Sequence, residues 1–292
     1  MFARFGVYAR NELFDSLLYE ALSKRERNPR NKEILEELSR QEYMHYEFWS
    51  KFAGKIELEP RELFKLKFFL LLSRVLGRTF IIKFLERHET RAVEVYSQIL
   101  GKEPLTEEDR RTLARVIEDE KFHEGALSSQ IDEFAVRHLG SIALGMSDAI
   151  IELSGVHAGF LGYTSSSLYT GISGLIVGIS ASLSMAAAAY LQAKQERGKS
   201  PGKSAAVTGL MYMATVVLLT SPFFAGLPLL TALSISVALA LVVLAGFTFY
   251  STTILGSSFA REFLENSGVI LLVVLVGYLF GAAIERILGF RP

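Results

Sequence analysis

The chain holds five histidines, and two of them stand in the same arrangement. EYMHYEFW (42–49) pairs Glu42 with His45, and EKFHEGAL (120–127) pairs Glu120 with His123. Residues three apart on an α-helix lie about 60° apart around the axis, so each Glu-x-x-His pair sets a carboxylate and an imidazole on one face. Mixed carboxylate and imidazole ligands suit iron or manganese, with zinc as the alternative. One such pair is common on a solvated helix. Two pairs on separate helices are the pattern of bundles that hold two metal ions, in which each of the other two helices adds a glutamate.

The elements that position these residues are legible as helices. From 1 to 137 apolar residues recur at spacings of three and four, punctuated by Pro29, Gly54, Pro60, Gly101 and Pro104. Helices are expected over 7–28, 31–53, 78–100 and 106–135, with Thr106 capping the last. On the first helix Glu20 stands among Leu17, Leu18, Tyr19 and Leu22, on or beside the apolar face; Glu12 is available nearer the end. The third helix offers Glu86, Glu89 and Glu94, of which Glu86 and Glu89 are again three apart and can share a face. The expected metal set is therefore Glu20, Glu42, His45, Glu86, Glu89, Glu120 and His123. So many buried carboxylates either take up cations or titrate. The stretch 62–86, apolar but carrying Lys65, Lys67, Arg74, Arg78 and Lys83, is too basic to span a membrane. It is read as the bundle's crossover and the start of the third helix, as a surface resting on anionic lipid, or as a subunit contact.

This constellation resembles the rubrerythrin and erythrin branch of the ferritin-like superfamily over about 7–130, with Glu86 and Glu89 matching the acidic pair on its third helix. The resemblance implies two iron ions per domain, bridged by the two Glu-x-x-His glutamates, with manganese or zinc as alternatives. No rubredoxin-like cysteine motif follows, so the usual electron-delivery module of that branch is missing.

Composition divides the chain. Charged residues are dense up to Arg137 and sparse from Leu139 onward, where long apolar runs dominate. There is no cysteine, which excludes disulfides, zinc-thiolate sites, iron–sulfur clusters and thiol nucleophiles. Domains are expected at 1–137 and 138–292. A helix crosses a bilayer with about 20 mostly apolar residues, and five spans are expected: 139–163, 168–193, 205–225, 227–251 and 267–288. The loop QAKQERGKSPGKS is basic, whereas YTSSSLY and TSPFFAGLP are uncharged. Positive loops stay inside. The N-terminal domain is therefore expected in the cytosol and the C-terminus outside. The first residues lack the pattern of a signal peptide, in keeping with a cytosolic N-terminal half.

Asp148, Glu152 and His157 all fall within the first expected span, where ionisable groups cost at least about 2.5 kcal/mol each and face a partner or a water-filled path. Gly171, Gly174, Gly178, Ser182 and Ala186 form a small-residue stripe on the second span. Met185, beside it, is either packing or a soft metal ligand.

LGMSDAIIELSG followed by GISASLSMAAAAYLQ resembles the first two spans of the vacuolar iron transporter family. That family's aspartate falls on Asp148 and its methionine on Met185. The resemblance, over about 139–290, implies five spans, a homodimer, and movement of ferrous iron or manganese out of the cytosol, coupled to protons. Two departures are visible: Ala189 stands where many members carry an acid, and a short loop replaces their metal-binding module between the second and third spans. The whole chain thus resembles the membrane-bound ferritin type of prokaryotic cell membranes. The expected fold is all-α, a ferritin-like four-helix di-metal bundle followed by a five-helix transmembrane domain. The expected function is a ferrous iron exporter. A membrane-tethered ferroxidase or peroxide-reducing enzyme and a manganese exporter are the alternatives. Glu152 and His157 are further candidates for the path of Asp148 and Met185. No nucleic-acid partner is expected.

Overall fold

The computed structural model describes residues 2–122 and 133–288, without the side chains of 2, 3, 86–91, 122 and 288. The regular elements among the described residues are all helices, with no strand. They divide into two compact units, Met1–Val136 and Arg137–Pro292.

The first unit contains α1 (Phe2–Ser23), α2 (Pro29–Ala53), α3 (Pro60–Leu76), α4 (Arg78–Lys102) and α5 (Glu107–Phe122). Local chemistry sets the boundaries. Asn28 caps α2 by accepting from Arg30 N–H at 3.0 Å, and Pro29 follows where its missing donor costs nothing. The hydroxyl of Thr106 accepts from Asp109 N–H at 3.1 Å, so the expected cap of α5 is present. The basic stretch 62–86 is split by Gly77, whose φ of +86° ends α3. The carboxylate of Glu133 then accepts from the Arg78 and Thr79 N–H groups at 2.8 and 3.1 Å, holding the start of α4. Of the helix expected over 106–135, the structure describes α5 as far as Phe122 and a separate short α6 (Phe134–Arg137).

On α3 the side chains of Phe64, Phe68, Leu71 and Val75 are exposed. The core of the bundle is aromatic. Phe5, Phe48, Trp49 and Tyr96 are buried together with Leu113, Val116 and Ile117. The Trp49 ring lies 4.7 Å from that of Tyr96 and 5.5 Å from that of Phe5.

The second unit contains α7 (Leu139–Tyr163), α8 (Ser167–Gln195), α9 (Pro201–Thr220), a 3-10 turn (Ser221–Phe224), α10 (Leu229–Leu255) and α11 (Phe259–Leu288). Five of its segments are long and apolar enough to cross a membrane. Leu271, Leu272, Leu275, Leu279 and Phe280 on α11 are exposed, which fits a membrane protein, whose outer faces meet hydrocarbon. The fifth helix starts earlier than expected. The charged segment at 259–266, expected as a loop, is its first turns, with Arg261 Nε 2.9 Å from Glu265 one turn on. Gly256, left-handed at φ +72°, makes the break instead.

Glycine decides the packing of this unit. A Cβ on Gly277 or Gly281 of α11 would overlap the carbonyl of Gly155 or Gly159 on α7, so the two backbones touch. The stripe on α8 faces inward as well. Gly171 meets Phe223, Gly174 meets His157 and Thr220, and Gly178 meets Val216.

Candidate metal centre

Helices α1, α2 and α5 bring Glu12, Glu42, His45 and Glu120 together. One ligand atom from each lies within 4.8 Å of all the others. The four residues are 5%, 2%, 1% and 2% exposed. His45 Nδ1 stands 3.1 Å from Glu120 Oε1, 3.5 Å from Glu42 Oε2 and 3.9 Å from Glu12 Oε2. Its Nε2 lies 3.5 Å from Asp119 Oδ2, the outer carboxylate that fixes a ligating imidazole's tautomer and orientation. Tyr96 on α4 donates its O–H to Glu12 Oε1 at 2.5 Å.

The electrostatics follow from burial. Desolvation, then the charges of Glu120 and Glu42, pushes the Glu12 carboxyl well above its ordinary range, and the His45 imidazole pulls only partly the other way. Burial also raises Asp15, again with Glu42 and Glu120 adding to it. For His45, burial favours the neutral ring, but its contacts with Asp119, Glu12, Glu120 and Glu42 outweigh this and hold its pKa well above the usual imidazole value. Tyr96 is raised by burial and by the neighbouring Glu12. A set of three buried carboxylates around one imidazole is strained by its own charge, and a divalent cation relieves that strain. The donor set therefore fits a metal centre of the kind the two Glu-x-x-His pairs suggest. A cavity of about 290 Å³ adjoins the cluster, lined by Arg10, Glu12, Asp15, Lys65, Tyr96 and Glu120 among others.

Glu42, His45 and Glu120 of the expected set meet here. Glu20 does not. It is exposed, and its carboxylate pairs with Lys24 Nζ at 2.6 Å. Glu12 takes its place, and the register of α1 on α2 is the cause. Ser16 and Ser39 exchange hydrogen bonds, each hydroxyl donating to the other's carbonyl at 2.9 Å. The helices run antiparallel, so Glu12, one turn before Ser16, reaches the level of Glu42, and Glu20, one turn after Ser16, lies away from that level. The side chains of Glu86 and Glu89, and the whole of His123, lie outside the described residues. Asp15, Tyr96 and Asp119 had not been singled out. The signal for Asp15 was its i, i+3 spacing from Glu12, the same spacing that marked the other pairs.

In the second unit Tyr212 of α9, itself fully buried, donates its O–H to the Glu152 carboxylate. Gly145 packs on Thr208 and Gly209 on Ala186. With Glu152 bonded to Tyr212, this register puts Asp148 and Met185 at one level of the unit. Met185 packs against the buried cluster containing Met146, Ala149, Ile150 and Tyr212. His157 lies apart, about 7.5 Å beyond Glu152 along α7 by helical rise. It is fully buried, with Nδ1 3.4 Å from Ser236 Oγ and its ring 4.3 Å from that of Phe223.

Residues 9–130 match the rubrerythrin family model. No curated protein and no solved structure matches the chain. The first unit thus carries a rubrerythrin, ferritin-like domain, and its buried Glu/His cluster fits a di-metal site.

Proposed function

We propose that the chain is a ferrous iron exporter, with a cytosolic bundle that captures the ion and a membrane unit that carries it outward against protons. The observation that carries this reading is the pairing, on one chain, of the buried Glu12–Glu42–His45–Glu120 cluster with five candidate spans, the first of which bears Asp148 and Glu152. The resemblance of the second half to the vacuolar iron transporter family supports it. So does the short α8–α9 loop, because the bundle then takes over the metal capture that this family places there. The basic loop between α8 and α9 supports a cytosolic bundle and an outer C-terminus. A homodimer in a prokaryotic cell membrane belongs to the same reading.

Resident iron in the bundle would supply Lewis-acid and redox chemistry. The chain's own part is to bind and to exchange protons. Glu12 must ionise and His45 Nδ1 must be unprotonated before either can ligate, so ion uptake releases protons. In the membrane unit, Asp148 and Met185 at one level offer a hard and a soft ligand to a ferrous ion, and Asp148 carries a proton when the ion has left.

The test is uptake of ferrous iron into liposomes holding the purified full chain under an imposed pH gradient. The expected result is transport by wild type, loss of at least about tenfold in Asp148→Ala, and partial loss in Glu42→Ala. Competition by manganese at comparable concentration would make manganese a cargo as well. The exporter reading fails if wild type moves no metal. Consumption of oxygen or peroxide on adding iron would then identify a membrane-tethered oxidase.

A further inference from the structure

The membrane unit has a second polar feature, far along α7 from Glu152 and made of cations. At the end where α7 and α9 begin, a cavity of about 80 Å³ is lined by Arg137, His138, Ser141, Lys199, Lys203 and Ser204, with Gly140, Gly198 and Ser200. Among the described residues no acidic one lines it. Glu196, outside the lining, pairs with Lys199. Lys203 makes no ion pair with any described residue.

Four observations converge on this cavity. Two helices start at it, and neither N-cap residue, His138 for α7 or Ser200 for α9, caps its helix with its side chain. First-turn N–H groups of two helices are thus left for another acceptor, at the positive ends of two dipoles. Ser204 is only 4% exposed, lines the cavity, and its hydroxyl donates to no described residue. Gly140 has open space where a side chain would stand, so the backbone there can approach a ligand. The field is positive: burial, then the charges of Arg137, Lys203 and Lys199, holds the His138 imidazole below its usual value. Each water occupies about 30 Å³ of liquid, so the space takes a group of a few heavy atoms.

We propose that this pocket binds a phosphate group. Tetrahedral oxyanions accept from several donors at once, and backbone N–H groups at helix starts together with lysine, arginine and serine are the donors they meet. The same chemistry comes from two sources, the headgroup of an anionic phospholipid or free inorganic phosphate. Basic pockets between membrane helices take up headgroups in this way. The proposal is independent of iron transport and stands or falls without it.

The experiment titrates delipidated, detergent-solubilised full-length protein with dihexanoyl-phosphatidylglycerol and, separately, with inorganic phosphate, followed by calorimetry. Wild type is expected to bind at one site per chain. Lys203→Gln should weaken binding roughly tenfold, the loss of a charge-assisted bond. Ser204→Val should weaken it by filling the cavity, at an unchanged melting temperature. Lys194→Gln, an exposed lysine outside the cavity, should bind as wild type. Preference for the lipid identifies a headgroup site, and saturation by inorganic phosphate alone identifies a free-anion site. No binding by wild type to either ligand, or equal weakening in Lys194→Gln and Lys203→Gln, overturns the proposal.

Discussion

Both units bury ionisable side chains, and they arrange them differently. In the bundle, Glu12, Glu42, His45 and Glu120 come from three helices to one point. In the membrane unit, Asp148, Glu152 and His157 are strung along a single helix over about 13.5 Å of rise. Glu152 is met there by a neutral tyrosine and His157 by a neutral serine. A converging set concentrates negative charge until a cation relieves it. A set spaced along an axis offers one group at a time, each at a lower local charge. The backbone follows the same division. The bundle is held by large aromatic side chains around Trp49, whereas α7 and α11 are held by glycines in backbone contact. In the function proposed above, capture falls to the first arrangement and passage to the second.

The comparison can be broken most forcefully at the glycine contact. Gly281→Leu should destabilise the membrane unit by about 3 kcal/mol or more, because neither backbone can withdraw. Gel filtration and a melt in detergent would show this, with metal content of the bundle retained. If the variant behaves as wild type, the close α7–α11 approach is wrong. Next in size is the exchange of glutamates on α1. Glu12→Ala should lose at least one bound metal per chain by elemental analysis, whereas Glu20→Ala should keep wild-type metal content and stay within about 0.5 kcal/mol in stability, as for an exposed pair. The reverse outcome would restore Glu20 as the ligand. Asp119→Asn should then lower metal affinity about 10–100-fold, the usual cost of losing the carboxylate behind a ligating histidine; competition with a chelator measures it.

The smallest effect is the pH dependence of the metal-free protein. Glu12, Asp15 and His45 all have folded-state pKa values above their unfolded ones. Their stabilising contribution is complete below the unfolded values and is lost as pH rises through the folded ones. Metal-free protein should therefore melt several degrees higher at about pH 5 than at about pH 8. The metal-loaded protein should show the opposite trend, because protons compete with the ion. A metal-free melting temperature that rises with pH would mean that the cluster is not charged and buried as described.

Much of the molecule was legible in order along the chain. The helices of the bundle, the Thr106 cap and the five apolar segments follow from periodicity, capping chemistry and length, which are local properties. Glu42, His45 and Glu120 were legible for the same reason, since the i, i+3 spacing is a property of one helix. The choice between Glu12 and Glu20 was not, because both stand among apolar residues of α1 in the sequence, and only the packing of α1 against α2 shows that Glu12 is buried and Glu20 exposed. A clue was present in the short connection through Asn28 and Pro29. A tight hairpin sets opposite each other residues equally far from the turn, which favours Glu12 as the neighbour of Glu42. The start of α11 was misplaced because charge was read as loop, whereas Arg261 and Glu265 pair along the helix surface.

By itself, then, the sequence determined which helices form, which of them are apolar enough to cross a bilayer, and that two of them carry a carboxylate beside an imidazole. Those properties depend on residues a few positions apart. Only the tertiary structure decided that Glu12 completes the cluster, that Asp119 stands behind His45, that Tyr212 meets Glu152, and that the start of α7 and the α8–α9 loop close around one cationic cavity. Each of these joins residues far apart in the chain. Their meeting depends on helix register and on how closely glycine lets two backbones approach, neither of which spacing along one helix records.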